Sequence, residues 1–236
     1  MNSQRPKILF EVAGRPILWW VVKACYDAGV DRCIVVVGQD HDPVRTALDE
    51  LKPCLFVVQD RPLGTGHATR AAQTSFDHQP PRDVFVLAGD GPLIRPATLR
   101  RLLQVHRESA AAATLATAVL DDPSGYGRVL RDSEGEFTSI VEQNDASGGQ
   151  LEVNEVNPSY YCFRSDRLFA ALGCIHNDNS QHEYYLTDVP ALLKSRQERV
   201  ALLDEVPPED VLSINTPRQL EDVDAILRRR VGAGSR

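Results

Sequence analysis

An aspartate follows an apolar run at a place where it could hold a metal ion. Residues 84–88 (VFVLA) are continuously apolar, and Asp90 comes next in the segment GDGPL. If the run is a strand of an open α/β sheet, Asp90 lies at its carboxyl end, where such sheets bind ligands. One or two carboxylates with substrate phosphate oxygens suffice to hold Mg²⁺. Asp90 is therefore a candidate metal ligand, and the alternative is a turn or capping residue.

A glycine-rich segment could place backbone N–H groups against a base or a phosphate. Residues 59–68 (QDRPLGTGHA) follow a short apolar run and open a helical pattern. Glycines on both sides of Thr65 would let the chain approach a ligand closely, and N–H groups at a helix start attract anions. The alternative is an ordinary strand-to-helix turn capped by Thr65. We expect His67 to be structural.

Further segments carry groups suited to sugar hydroxyls. Residues 125–128 (GYGR) resemble a hairpin or clamp whose glycines permit contact with a sugar ring, and residues 140–146 (IVEQNDA) end a strand with acidic and amide groups. Asparagines at the ends of other predicted strands occur in residues 154–157 (NEVN) and 214–216 (INT). Each segment taken alone is also compatible with a plain turn or a solvated loop.

The elements that must position these groups alternate regularly in the first half of the chain. Helices are predicted over residues 17–28, 42–51, 66–76 and 96–108. Strands are predicted over residues 34–38, 55–58, 84–88 and 114–120. Such alternation is typical of βαβ units, and it predicts an α/β fold with a doubly wound, mostly parallel, Rossmann-like sheet.

From Tyr126 onward the pattern changes to shorter segments. Residues 128–131, 137–142 and 159–163 are expected to form a small antiparallel lobe on the sugar side of the site. The remaining predicted elements are a helix over 187–195, a strand over 200–203 and a helix over 217–230. We interpret residues 1–230 as a single domain and residues 231–236 as a frayed tail.

Composition narrows the possible partners to small molecules. A net charge of −7 argues against nucleic-acid or membrane-surface binding, which clustered Lys and Arg drive. The sequence has no run of about 18 apolar residues, and we expect a cytoplasmic protein. Five widely spaced cysteines without a CxxC pair favour reduced thiols over disulfides or zinc. Nothing in the sequence indicates the oligomeric state.

Several motifs, in the same order along nearly the whole chain, resemble one enzyme family of sugar nucleotidyltransferases. The family is the uridyltransferase (pyrophosphorylase) domain of bacterial bifunctional N-acetylglucosamine-1-phosphate uridyltransferase/glucosamine-1-phosphate acetyltransferase. The matching motifs are residues 10–16 (FEVAGRP), 63–68 (LGTGHA), 89–93 (GDGPL), 125–128 (GYGR), 140–143 (IVEQ) and 183–188 (EYYLTD). Several motifs in order are far more specific than any one of them.

The resemblance implies an Mg²⁺-dependent transfer and a role for each site residue. A sugar 1-phosphate oxygen attacks the α-phosphorus of UTP, which makes UDP-N-acetylglucosamine and releases pyrophosphate. Lys7 is implied to neutralise charge on the nucleotide phosphates. The residues implied to hold the uracil are Gln59, Gly64 and Thr65. Those implied to hold the N-acetylglucosamine are Gly127, Glu142 and Asn157, and those implied to bind Mg²⁺ are Asp90 and Asn215.

The start of the chain matches only the second half of the family's opening signature. Residues 1–7 (MNSQRPK) fit the end of a pattern whose first half is the glycine-rich loop LAAGxGTR. We therefore expect a strand and a phosphate-binding loop to be encoded upstream, with Met1 an internal methionine. We also expect the chain as printed to be poorly soluble or nearly inactive, since it would expose the flank of a buried sheet.

Some departures from the family pattern leave alternatives open. Ala88 stands where a tyrosine is frequent, Asn144 replaces a lysine, and residues 158–159 (PS) replace Thr-Gly. The hexapeptide repeats of the acetyltransferase half are absent, so we predict no acetyl transfer. One alternative is the same fold acting on another sugar phosphate or nucleotide. Another is a catalytically dead sugar- or nucleotide-binding protein, against which the retained Lys7, Asp90 and Asn215 argue.

Overall fold

A computed structural model describes residues 5–204 and 206–234, in which helices accompany one parallel, one mixed and two antiparallel sheets. The helices are α1 (Ile17–Asp27), α2 (Asp42–Thr46), α3 (Thr65–Ala71), α4 (Pro96–Glu108), α5 (Gly148–Leu151), α6 (Ser165–Leu172), α7 (Asp188–Ser195) and α8 (Pro217–Gly234). The strands are β1 (Glu11–Val12), β2 (Arg15–Pro16), β3 (Ile34–Val37), β4 (Leu55–Val58), β5 (Asp83–Leu87), β6 (Ala113–Ala116), β7 (Ala118–Val119), β8 (Gly127–Arg131), β9 (Phe137–Val141), β10 (Glu155–Asn157), β11 (Tyr160–Arg164) and β12 (Val200–Leu203). Short 3-10 helices cover Lys7–Leu9, Gln73–Phe76 and Pro208–Val211.

The central sheet has the strand order β12-β6-β11-β5. Strand β12 runs parallel to β6, whereas β11 runs antiparallel to both of its neighbours. The prediction that residues 159–163 belong to the antiparallel lobe is therefore wrong. Tyr160 and Cys162 pack into one hydrophobic cluster and Tyr161 and Phe163 into another, so β11 is buried on both faces.

A second parallel pair, β3 and β4, lies across a cleft from this sheet. Among the described residues β3 pairs only with β4, and β5 pairs only with β11. The facing edges of β3 and β5 line a cavity of about 630 Å³. Apolar side chains of α1, α3 and α6 also line it, among them Leu18, Val22, Ala68 and Phe169.

The antiparallel lobe has the strand order β7-β10-β8-β9. It is joined to the central sheet by the segment predicted as one strand over residues 114–120. The structure divides that segment at Thr117 into β6 in the central sheet and β7 in the lobe. One continuous chain segment thus fixes the lobe against the sheet.

The predicted α/β fold class is confirmed, in a mixed form with parallel and antiparallel strands. Helix α8 continues to Gly234, so residues 231–234 are helical and not frayed, while residues 235–236 lie outside the described part. Residues 1–4, which carry part of the opening motif, also lie outside it. Within the described ranges, no helix combines the length and apolar character that crossing a lipid bilayer requires.

Candidate active site

Lys7, Asp90 and Asn215 meet at one point although the sequence separates them widely. Lys7 Nζ donates to Asp90 Oδ2 at 2.5 Å and to Asn215 Oδ1 at 2.8 Å. The Lys7 and Asp90 side chains are 37% and 22% exposed, so the group is open to a ligand. The two oxygens, one from a carboxylate and one from an amide, are of the kind that Mg²⁺ prefers among protein ligands.

Each member of this group is held by local structure. Lys7 begins a 3-10 helix that the buried Leu9 anchors in the core. Asp90 follows β5, and its backbone carbonyl accepts the Ile214 N–H at 3.3 Å, which brings the loop before α8 alongside. In that loop the Asn215 N–H donates to Gln219 Oε1 at 2.8 Å. The sequence signal for Asp90, an acid just after a strand, is confirmed in its position.

Gln59 lies at the end of β4, next to the start of α3. Its Nε2 contacts the Gly64 carbonyl at 3.3 Å and His67 Nδ1 at 2.8 Å. No described residue hydrogen-bonds the Gln59 Oε1 atom, which leaves that oxygen for a ligand. His67 thus contacts a predicted base-binding side chain directly.

The two glycines of this segment approach the protein's own backbone. A Cβ on Gly64 would lie 2.7 Å from the Tyr184 carbonyl oxygen, and one on Gly66 would lie 2.9 Å from the same atom. The Gly66 N–H donates to that carbonyl at 2.7 Å. The Thr65 hydroxyl accepts the Leu186 N–H at 3.0 Å and does not cap α3. The expectation that the Gly66 N–H faces a ligand is therefore wrong.

Gly127, Glu142 and Asn157 come together in the antiparallel lobe. Asn157 pairs with Gly127 across β10 and β8, and a Cβ on Gly127 would lie 3.4 Å from Glu142 Oε2. Asn157 is buried, and its Nδ2 donates to the Tyr161 hydroxyl at 2.6 Å. The structure thus brings the three predicted sugar-binding residues together, with the Asn157 amide already engaged inside the protein.

A residue that the sequence analysis did not single out holds the Glu142 carboxylate. The buried Thr187 donates its hydroxyl to Glu142 Oε1 at 3.0 Å. Both residues line the cavity beside Ala88 and Thr65, so the lobe and the glycine-rich segment share one opening. Thr187 belongs to the motif EYYLTD, which was the available signal, but a threonine at a helix start is usually read as a cap.

Burial raises the pKa of Glu142, the Thr187 hydroxyl opposes this rise, and the carboxylates of Asp188, Asp145 and Glu183 add to it. The native state therefore keeps the Glu142 proton to a higher pH than the unfolded chain does. By linkage, the stability from this group is complete below the unfolded pKa and is lost as the pH rises through the folded pKa.

Glutamine has no titrating proton, so Glu142→Gln should remove the loss of stability that accompanies rising pH. We expect Glu142→Gln to melt a few degrees above the wild type at pH 7 and at nearly the same temperature at pH 4. The measurement is the melting temperature of both proteins across that range, with Glu134→Gln, in an exposed turn, as the control. A difference that stays constant from pH 4 to pH 7 would contradict the interpretation.

Sequence comparisons place the chain among known proteins. The profile of the family described as the MobA-like NTP transferase domain matches residues 1–185. The bifunctional protein GlmU of Heliobacterium modesticaldum is 42% identical over 231 residues, which cover 98% of this chain and 50% of that protein. The protein of the same name from Syntrophomonas wolfei is 39% identical over 230 residues, 98% of this chain and 51% of that protein. The chain spans about half the length of the curated relatives it matches.

Solved structures support the fold. A crystal structure of apo UDP-glucose pyrophosphorylase superposes with a TM-score of 0.73 at 14% identity, over 95% of this chain and 91% of that one. A complex of UDP-glucose pyrophosphorylase with UDP-glucose gives a TM-score of 0.71 at 14% identity over the same shares. At this identity the likeness concerns the fold alone.

Proposed function

We propose, since the chain belongs to the family of MobA-like NTP transferase domains, that it makes UDP-N-acetylglucosamine and pyrophosphate from UTP and N-acetylglucosamine 1-phosphate. The observation that carries this proposal is the meeting of Lys7 with Asp90 and Asn215, which lie 83 and 208 positions away in sequence. The motif order and the relatives named bifunctional protein GlmU support it.

The side chains of Asp90 and Asn215 suit Mg²⁺. Both present an oxygen to the Lys7 ammonium, so the two oxygens lie close together, and Mg²⁺ prefers oxygen ligands. We propose that these two residues hold the ion together with substrate phosphate oxygens. When bound, Mg²⁺ supplies charge neutralisation on those oxygens.

The proposed reaction needs positioning and charge neutralisation, and no protein nucleophile. An oxygen of the sugar 1-phosphate attacks the α-phosphorus of UTP and forms the new P–O bond. The bond from the α-phosphorus to the oxygen bridging to the β-phosphate breaks, and pyrophosphate leaves with the electron pair. Lys7 binds phosphate oxygens, Gln59 and Gly64 hold the base, and Glu142 with Gly127 orients the sugar.

Thr65 and Asn157 complete the proposed binding set, with roles limited by their contacts. The Thr65 hydroxyl oxygen already accepts the Leu186 N–H, and the Asn157 amide already donates to Tyr161. Each can still offer its remaining hydrogen-bonding capacity to uracil or sugar. Small-molecule substrates and a cytoplasmic location belong to the same proposal.

A second candidate is the same transfer with a different sugar phosphate or nucleotide. It is favoured by Ala88, which lines the cavity beside Glu142 where the family often has a tyrosine. The superposed structures are those of UDP-glucose pyrophosphorylase, one of them with UDP-glucose bound. The two candidates share the Lys7, Asp90 and Asn215 group, so a substrate panel separates them.

The test is pyrophosphate release from UTP and N-acetylglucosamine 1-phosphate with Mg²⁺. It is run on the chain as printed and on a version extended ahead of Met1 by a strand and the LAAGxGTR loop, with panels of other sugar phosphates and nucleotides. Formation of UDP-N-acetylglucosamine by either version supports the proposal, and turnover of another pair supports the second candidate. If neither version releases pyrophosphate from any pair of sugar phosphate and nucleotide, both candidate functions are contradicted and a binding protein is favoured.

A further inference from the structure

The side-chain amide of Gln59 has a defined orientation in the free protein. One of its neighbours, the Gly64 carbonyl oxygen, can only accept a hydrogen bond. The Gln59 atom that faces it at 3.3 Å must therefore be Nε2, which settles the usual ambiguity between amide oxygen and nitrogen. The Oε1 atom points to the other side of the amide.

This orientation requires one tautomer of His67. The second Nε2 hydrogen of Gln59 is directed at His67 Nδ1, 2.8 Å away, so Nδ1 must accept and carry no proton. The ring is then neutral, with its hydrogen on Nε2. Of the two bonds that orient the amide, the one to His67 is the shorter.

The surroundings of His67 keep its ring in place. The residue lies in the first turn of α3, whose start is tied to the 183–186 segment by the hydrogen bond from Gly66 to Tyr184. The His67 and Tyr184 rings lie 6.5 Å apart at 33°. The His67 nitrogen that faces Gln59 therefore belongs to a helix that is hydrogen-bonded to a neighbouring segment, and not to a loop.

We propose that His67 is a positioning residue that sets the nucleotide preference by holding Gln59 with Oε1 toward the base. This inference rests on the proposed function and deepens it. An acceptor at this position pairs with the N3–H donor of uracil. The same acceptor repels the N3 lone pair of cytosine. A site built to hydrogen-bond one ligand group discriminates strongly against an analogue that lacks that group.

Paired variants separate this role from a merely structural one. His67→Phe keeps an aromatic ring against Tyr184 and removes the acceptor. His67→Asn keeps an acceptor at this place, because the Oδ1 atom of asparagine is bonded to Cγ, as the Nδ1 atom of histidine is. The dissociation constants of UTP and CTP are measured by NMR titration with Mg²⁺, and circular dichroism confirms that each variant is folded.

We expect the wild type to bind UTP about 100-fold more tightly than CTP, and His67→Phe to reduce that ratio about tenfold. His67→Asn should retain the ratio within about threefold. A ratio in His67→Phe equal to that of the wild type, or a parallel loss for both nucleotides, would overturn the inference. Equal binding of both nucleotides by the wild type would also overturn it while leaving the proposed nucleotide transfer standing.

The ring tautomer gives a test that needs no nucleotide. In the ¹⁵N spectrum of the wild-type protein, His67 Nδ1 should have the chemical shift of an unprotonated nitrogen and Nε2 that of a protonated one. A protonated Nδ1 overturns the inference. If the tautomer is as expected and neither nucleotide binds, the proposed function fails and the nucleotide preference fails with it.

Discussion

Asparagine in place of Asp90 is expected to reduce Mg²⁺-dependent pyrophosphate release about a thousandfold, a loss of roughly 4 kcal/mol in transition-state stabilisation. The substitution keeps the size of the side chain and removes its negative charge. The fold should be spared, because the Lys7–Asp90 ion pair is partly exposed and such pairs contribute about 1 kcal/mol or less. Melting temperature and turnover, measured together in the version of the protein that turns over, provide the check.

Asp204→Asn is the matched control for this variant. Asp204 follows β12, its side chain is 63% exposed, and its ion-pair contact, to Arg131, is 3.8 Å long. It should keep both stability and turnover. Full activity of Asp90→Asn would refute the metal-site assignment, and a large loss in Asp204→Asn would show that removing any surface charge has the same effect.

Alanine in place of Gly64 is expected to destabilise the protein by about 3 kcal/mol, which lowers the melting temperature by roughly 6–12 °C. Gly64 has φ 102° and ψ 175°, a backbone conformation that is essentially restricted to glycine. The added Cβ would also lie within 2.9 Å of Tyr184 backbone atoms. The segments that form the base site would have to move apart, so UTP binding should weaken together with stability.

Two other glycines separate the causes of this effect. Gly125 has a positive φ of 87° with no atom within 4 Å of an added Cβ, so Gly125→Ala measures backbone strain alone. Gly38 has open space and no positive φ, so Gly38→Ala measures neither strain nor contact. The expected order of destabilisation is Gly64, then Gly125, then Gly38. Equal losses at Gly64 and Gly125 would rule out the contact with Tyr184.

The first half of the fold was readable from sequence because its elements have strong local signals. The strand Leu55–Val58 and the helix Pro96–Glu108 have the bounds that their apolar runs and first-turn proline predict. The position of Asp90 just after a strand followed from the same logic, although that strand, β5, pairs antiparallel with β11 and not within the parallel sheet that the prediction assumed.

The rest depends on contacts between segments distant in sequence, which local patterns do not encode. Residues 159–163 were predicted to belong to the antiparallel lobe, yet β11 lies between β5 and β6 in the central sheet, with hydrophobic clusters on both of its faces. Glycines predicted to let a ligand approach instead let residues 183–185 approach. The Thr187 hydroxyl binds Glu142, which lies 45 positions away in sequence. Residue propensities describe only neighbouring positions, so they do not predict this contact.

The cleft between β3 and β5 has a consequence for cooperativity. Among the described residues, no ladder of backbone hydrogen bonds joins the β3–β4 pair to the central sheet. Within the described chain the pair is therefore coupled to the rest by its connecting segments, by side-chain packing and by single hydrogen bonds such as that from the Tyr26 hydroxyl to the Pro53 carbonyl at 3.0 Å. We expect this coupling to be weaker than that of a continuous sheet. Amide exchange in Ile34–Val37 should proceed through local opening, well before that of Tyr160–Arg164. Within residues 5–204 and 206–234, the facing edges of β3 and β5 also present N–H and C=O groups without a ladder partner. Such edges can capture an extended segment, so strand addition at this cleft would merge two cooperative units into one.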